Sequence, residues 1–209
     1  MIKQRKNNKS RFIKIGSLFL ITGIGLISFK IISNYSIKYN EGKHIDEFFK
    51  EEKEEIITSS DDQVLKEETS ATSYSYIGVL EIPSISVKRG FVESNNKYNN
   101  VNYNIQILDG SDMPNITNGN FIIAGHSGSG RVSYFKNLNK LNNDDVIYIY
   151  YENIKYTYKV VNKYLEIKDG DIVIHRNKNI STLTLTTCSP DSKGNQLVVI
   201  SELVEKTNY

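Results

Sequence analysis

Residues 15–29 carry no charged side chain, and residues 12–32 are apolar apart from Lys14, Lys30 and a few Ser, Thr and Gly. That stretch limits the fold before anything else does. It supplies about the twenty residues needed to cross a bilayer, and the two lysines near its ends can snorkel. Lys3, Arg5, Lys6, Lys9, Arg11 and Lys14 crowd its N-terminal side with no acidic residue among them. A basic flank stays in the cytoplasm, so residues 1–11 are expected inside, 12–32 in the membrane and everything after 33 outside. A cleavable signal peptide would have a shorter apolar region followed by a small-residue cleavage site. Phe29-Lys30-Ile31-Ile32-Ser33-Asn34 is a poor one, so an uncleaved anchor is expected.

An exported chain with one cysteine cannot close an internal disulfide, and its free thiol is an oxidation hazard that invites a chemical explanation. The formal net charge of +2 points to neither nucleic acid nor an acidic substrate.

Residues 41–75 are acidic, with Glu51-Glu52-Lys53-Glu54-Glu55 and Asp61-Asp62, and end in Thr69-Ser70-Ala71-Thr72-Ser73-Tyr74-Ser75. Ile45, Phe48, Phe49, Glu52 and Ile56 fall at helical spacing, which allows a short amphipathic helix. The remainder is too polar to order itself, and residues 33–75 are read as an extracellular stalk.

From Tyr76 the pattern changes to short strands between turns. Residues 77–82 read as a strand stopped by Pro83, and 86–92 as the next. Residues 94–104 are polar and rich in Asn, a loop or short helix. Phe121-Ile-Ile-Ala124 is a short buried strand. Residues 145–151 and 154–165 are rich in Tyr and β-branched residues around Glu152-Asn153, which reads as a hairpin. Residues 182–188 and 196–204 close the set. About eight short strands at this spacing predict an all-β domain over 76–209, a closed or nearly closed barrel with short helices.

Leu183 and Leu185 alternate with Thr182, Thr184 and Thr186 up to Cys188, and Ser189-Pro190-Asp191-Ser192-Lys193-Gly194-Asn195 breaks the strand. The thiol thus sits at the rim of a sheet. Taken alone, the strand leaves two readings open, a reactive thiol and a small buried hydrophobe. Gly125-His126-Ser127-Gly128-Ser129-Gly130 directly follows the 121–124 strand, so an imidazole is held at a strand end in a glycine-lined loop. A single Cys with a sequence-distant His is the pattern of a thiol nucleophile, though a weak one by itself. His44 in the stalk and His175 beside Arg176 are read as structural.

Tyr76-Ile-Gly-Val-Leu-Glu-Ile-Pro83, Gly119-Asn-Phe-Ile-Ile-Ala-Gly-His126 and Leu183-Thr-Leu-Thr-Thr-Cys188 resemble the three signature segments of the sortase family. Residues 135–145 resemble the family's short helix and the turn after it. The resemblance runs from Tyr76 to Val204. It implies an eight-stranded sortase barrel and a cysteine transpeptidase of Gram-positive cell membranes. Cys188 would attack the Thr–Gly bond of an LPxTG-like sorting signal on a surface protein. His126 would protonate the leaving amine, and a peptidoglycan precursor or a pilin lysine would accept the acyl group. Thr187 and Ser127, neighbours of this pair, are assigned to substrate binding. No cofactor or protein-bound metal is implied, beyond the calcium stimulation found in part of the family.

The family pattern places an arginine on the strand after the cysteine. Here Gln196 occupies that position, and no arginine follows Arg176. An amide can donate neutral hydrogen bonds but lacks the charge and five-donor fork of a guanidinium. Gln196 is therefore the candidate third site residue, with Lys193 on the loop as a substitute cation. A sortase-fold protein that binds peptides without efficient catalysis is the alternative that this departure supports. An L,D-transpeptidase would favour Ser-x-Gly-Cys with a nearby arginine, whereas Leu-Thr-Thr-Cys stands here. No Asp-Pro-aromatic lid precedes Tyr76, and residues 165–182 leave little room for an inserted helix. Both point to a compact anchoring type with a single anchor.

Overall fold

The computed structural model describes residues 5–58 and 75–209. Of the stretch read as a stalk, residues 59–74 lie outside the described residues. The chain divides into two compact units, Met1–Gly42 and Lys43–Tyr209. A helix, α1, covers Arg5–Thr58. Within the first unit it carries Phe12–Ser33, a stretch long and apolar enough to cross a membrane, none of it buried in the protein.

The second unit contains eight strands: β1 (Gly78–Ile82), β2 (Val87–Phe91), β3 (Gln106–Ile107), β4 (Asn120–Ala124), β5 (Val146–Tyr151), β6 (Ile154–Ile167), β7 (Thr182–Cys188) and β8 (Asn195–Asn208). They form one sheet in the order β2-β1-β5-β6-β8-β7-β4-β3, which curls into a nearly closed barrel. Two 3₁₀ turns, Pro83–Ile85 and Leu138–Lys140, are its short helices. The eight-stranded expectation holds, although β3 is too short and too polar in context to stand out in the sequence.

Local chemistry accounts for the main boundaries. Pro83 cannot donate to a ladder and opens the turn that ends β1. The β5–β6 hairpin turns on Glu152 and Asn153, whose φ angles of 52° and 59° are those of a type I′ turn. That geometry matches the twist of the flanking strands, and Asn tolerates it better than Glu does. The barrel interior is filled by Leu80, Phe91, Phe121, Phe135, Ile147, Tyr158, Leu183, Leu185 and Val199 among others, all buried. The period-2 alternation thus sends Leu183 and Leu185 inward, while the threonines between them pack on the other face.

The end of α1 belongs to this unit rather than to a free stalk. Ile45 and Phe48 are buried against Tyr76, Val79 and Val92, and Phe49 sets its ring edge-on to Tyr150 and Tyr209. Glu52 accepts hydrogen bonds from the Asn153 backbone N–H and the Tyr209 hydroxyl. Gly90 is required by this packing, because a Cβ there would lie 2.2 Å from the Tyr76 ring. The acidic residues that dominate the composition here conceal an apolar stripe at helical spacing.

Candidate active site

Every neighbouring pair in the sheet is antiparallel except β4 with β7, which run parallel with Ala124 beside Thr186. Parallel strands finish at the same end of a sheet, so the segments that follow Ala124 and Thr186 leave the barrel together. Two bonds extend the pairing past the strand. The Gly125 N–H donates to the Thr186 carbonyl at 3.1 Å, and the Thr187 hydroxyl donates to the Gly125 carbonyl at 2.6 Å. Both strand ends are thus clasped one residue before His126 and one residue before Cys188. Thr187, assigned to substrate binding in the sequence, is buried and forms this clasp.

His126 is half-buried and Ser127 beside it likewise. The loop carrying them folds back so that the Phe135 N–H donates to the His126 carbonyl at 2.9 Å. Phe135 is fully buried, and its ring lies where a Cβ on Gly125 would come within 2.8 Å. The glycine is therefore needed for close approach of strand end to core. The buried Arg89 supports the same loop, with its guanidinium 4.3 Å from the Tyr134 ring centre and its Nε donating to Asn104.

Cys188 is free and solvent-exposed, unlike the buried residues before it on β7. Its cross-strand partner is Gln196, which is in turn opposite Glu166 on β6. Directly opposed residues in antiparallel strands share a face, so Cys188, Gln196 and Glu166 form a row. Gln196 is the neighbour the sequence placed there, but its amide nitrogen donates to the Asp171 carbonyl at 3.0 Å in the loop after β6. Lys168, at the start of that loop, places Nζ 3.3 Å from Cys188 Sγ. Lys193 is exposed on the β7–β8 loop.

Sequence reasoning missed Lys168. The Lys168-Asp-Gly-Asp turn is legible, but its approach to the cysteine depends on β6, β8 and β7 being adjacent, which no local pattern encodes. His175 also lies on the β6–β7 loop, with its ring Nε2 3.6 Å from Glu166, and its backbone N–H donates to the Tyr164 hydroxyl. That hydroxyl donates to the Val173 carbonyl at 2.8 Å, pinning the loop to β6. Burial pushes the Tyr164 phenol above its ordinary value, which keeps it a neutral donor. Among the described residues no group of three or more His, Cys, Asp or Glu side chains could hold a metal ion. A cavity of about 650 Å³ lies away from the thiol, between α1 and the hairpin turn, lined by Phe48, Glu52, Glu93, Tyr151 and Asn153 among others.

The family model described as Sortase domain matches residues 80–204. No curated protein matches the chain. Among solved structures, a lid mutant of sortase A from Corynebacterium diphtheriae superposes with a TM-score of 0.57 at 24% identity, covering 64% of this chain and 73% of that one. A Clostridium perfringens sortase D5 transpeptidase gives 0.58 at 24% identity, over 79% of this chain and 98% of that one. Sortase A of Listeria monocytogenes gives 0.53 at 21% identity, over 64% and 90%. At these identities the superpositions speak for a shared barrel.

Proposed function

The chain belongs to the sortase family, and from that premise we propose that it is a cysteine transpeptidase with Cys188 as nucleophile and His126 as general acid. What supports this reading is the parallel, clasped end of β4 and β7, whose next residues along the chain are His126 and Cys188. A thiolate is a strong nucleophile without help from a metal. Sγ attacks the carbonyl carbon of the Thr–Gly bond in an LPxTG-like signal and generates a tetrahedral oxyanion. Collapse breaks the C–N bond, His126 in its imidazolium form gives its proton to the departing amine, and a thioester remains. An acceptor amine then attacks the thioester, passes a proton to His126 and releases the sulfur. One amide is broken and one is formed. The acceptor is an amine of a peptidoglycan precursor or of a pilin lysine, and Ser127, the residue after His126, is assigned to substrate binding.

The same proposal covers placement. Phe12–Ser33 serves as a single membrane anchor, with the basic tail in the cytoplasm and the barrel outside. Protease added to intact cells should then degrade the barrel, and protection of it would reverse the topology.

The alternative is a peptide-binding barrel without efficient catalysis, favoured by Gln196 standing where the family has arginine. Mass spectrometry of the protein incubated with a panel of sorting peptides separates the two. An acyl adduct on Cys188 that is absent in Cys188→Ala and nearly absent in His126→Ala is the expected result. Equal cleavage by wild type and Cys188→Ala would end the covalent mechanism, and binding without adduct would favour the alternative.

A further inference from the structure

The family's arginine is missing from β8, yet the row beside Cys188 is not without a cation. Lys168 follows the last residue of β6. Its backbone N–H donates to the Gly194 carbonyl at 2.8 Å, which fixes the residue at the rim next to the start of β8. Its ammonium donates to Cys188 Sγ at 3.3 Å, and among the described residues that sulfur is the ammonium's hydrogen-bond partner. Gln196 holds the turn from the other side, through its bond to the Asp171 carbonyl. The two residues are linked to the same short loop from opposite ends.

We infer that Lys168 supplies the positive charge that the family draws from arginine, and that Gln196 is a positioning residue that holds the Lys168–Asp171 turn against β8. The inference rests on the transpeptidase reading for its catalytic part. Arg176, the last arginine in the sequence, is committed to the carbonyls of Asn118 and Ile180. Lys168 thus carries a charge to the sulfur from the neighbouring loop instead of from the strand itself. An ammonium is a point charge with three rotatable donors, so it can serve the anionic sulfur first and turn to the oxyanion once Sγ is bonded to carbon. It cannot grip two oxygens in the planar, bidentate way of a guanidinium. The role is therefore electrostatic more than geometric. Both Lys168 and Cys188 are exposed, so solvent screens the pair, and about tenfold in rate is expected instead of the 10²–10³ of an enclosed oxyanion donor.

The test compares alkylation of Cys188 by iodoacetate and by iodoacetamide in the Lys43–Tyr209 unit carried on the full chain in detergent. Both reagents need the same anionic sulfur, so the ratio of their rates reads the local charge. Lys168→Gln should lower the iodoacetate-to-iodoacetamide ratio about tenfold, Lys168→Glu further, and Lys168→Arg should retain it. Gln196→Ala should lower it in part, by freeing the turn. With sorting peptide, Lys168→Gln should lower kcat about tenfold and leave KM within about twofold. Thermal melts of each variant check that the fold survives. An unchanged ratio in a folded Lys168→Gln variant overturns the inference, as does a drop caused by Lys193→Gln and not by Lys168→Gln. If the wild type forms no acyl adduct with any peptide while the ratio still follows Lys168, the charge pairing stands and the transpeptidase reading falls.

Discussion

Gly125 shows how closely the site is fitted to the core. A Cβ there would lie 2.8–2.9 Å from two atoms of the Phe135 ring, a fully buried side chain with no free end to swing aside. Gly125→Ala must therefore push the end of β4 outward, and with it the next residue, His126. A shift of about 1 Å in a reacting group can cost about 10²-fold in rate, while overpacking of this kind costs about 1–3 kcal/mol in stability. The variant is expected to fold, melt a few degrees lower and lose turnover on a sorting peptide by up to about 10²-fold. Unchanged kcat would mean that the ring yields instead of the strand. At this scale the sequence is informative where punctuation is local. Gly125 follows β4 at once and Ser189-Pro190 follows β7 at once, so both strand ends could be located by reading along the chain. Lys168 could not be found that way. Its approach to Cys188 joins residues twenty apart through the pairing of three strands, and a side chain's reach across strands leaves no periodic trace.

Elements follow the same division. β1, β2, β4, β5, β6, β7 and β8 can all be read along the chain, most of them by alternation or by an apolar run between turn formers, whereas the two-residue β3 has neither. The end of α1 is the instructive case. Its apolar positions are visible at helical spacing, yet the surrounding carboxylates weigh towards a solvated stalk, and composition gives no sign of the surface waiting on the barrel. Phe48 is 6% exposed, and Ile45 is 5% exposed beside it. Removing a buried phenylalanine side chain costs about 3–5 kcal/mol where the site cannot collapse. Phe48→Ala is thus expected to lower the stability of a Lys43–Tyr209 fragment by about 3 kcal/mol in urea unfolding. A fragment starting at Ser75 lacks Ile45, Phe48 and Phe49 altogether and should be less stable than Lys43–Tyr209, with Val79 and Val92 left uncovered. Equal midpoints for the two fragments would detach the helix from the folding unit.

Over the folding unit as a whole, tyrosine is the main shifted titrating group, and its distribution sets a stability limit on the alkaline side. Burial pushes Tyr150 up to about 12, with Glu81 next to it adding to the effect. Burial likewise pushes Tyr151 up to about 12, helped by Glu152. Tyr158 and Tyr156 are raised in the same direction and for the same leading reason. In the unfolded chain a tyrosine loses its proton near pH 10. Between pH 10 and 12 the folded state therefore keeps protons that the unfolded state has given up, and stability falls as pH rises through that window. Below pH 10 both states are protonated and the contribution is complete. Tyr150 sits at the seam where α1 meets the barrel, edge-on to Phe49 and Tyr209, so its ionisation would place a charge inside an aromatic cluster. The melting temperature of Lys43–Tyr209 should accordingly stay level through neutral pH and drop steeply from pH 10 to 12. Tyr150→Phe removes one of the raised phenols, so its drop should be shallower. A melting temperature that holds level to pH 12, or an identical slope in Tyr150→Phe, would show that these phenols reach solvent freely and that the seam between helix and barrel is open.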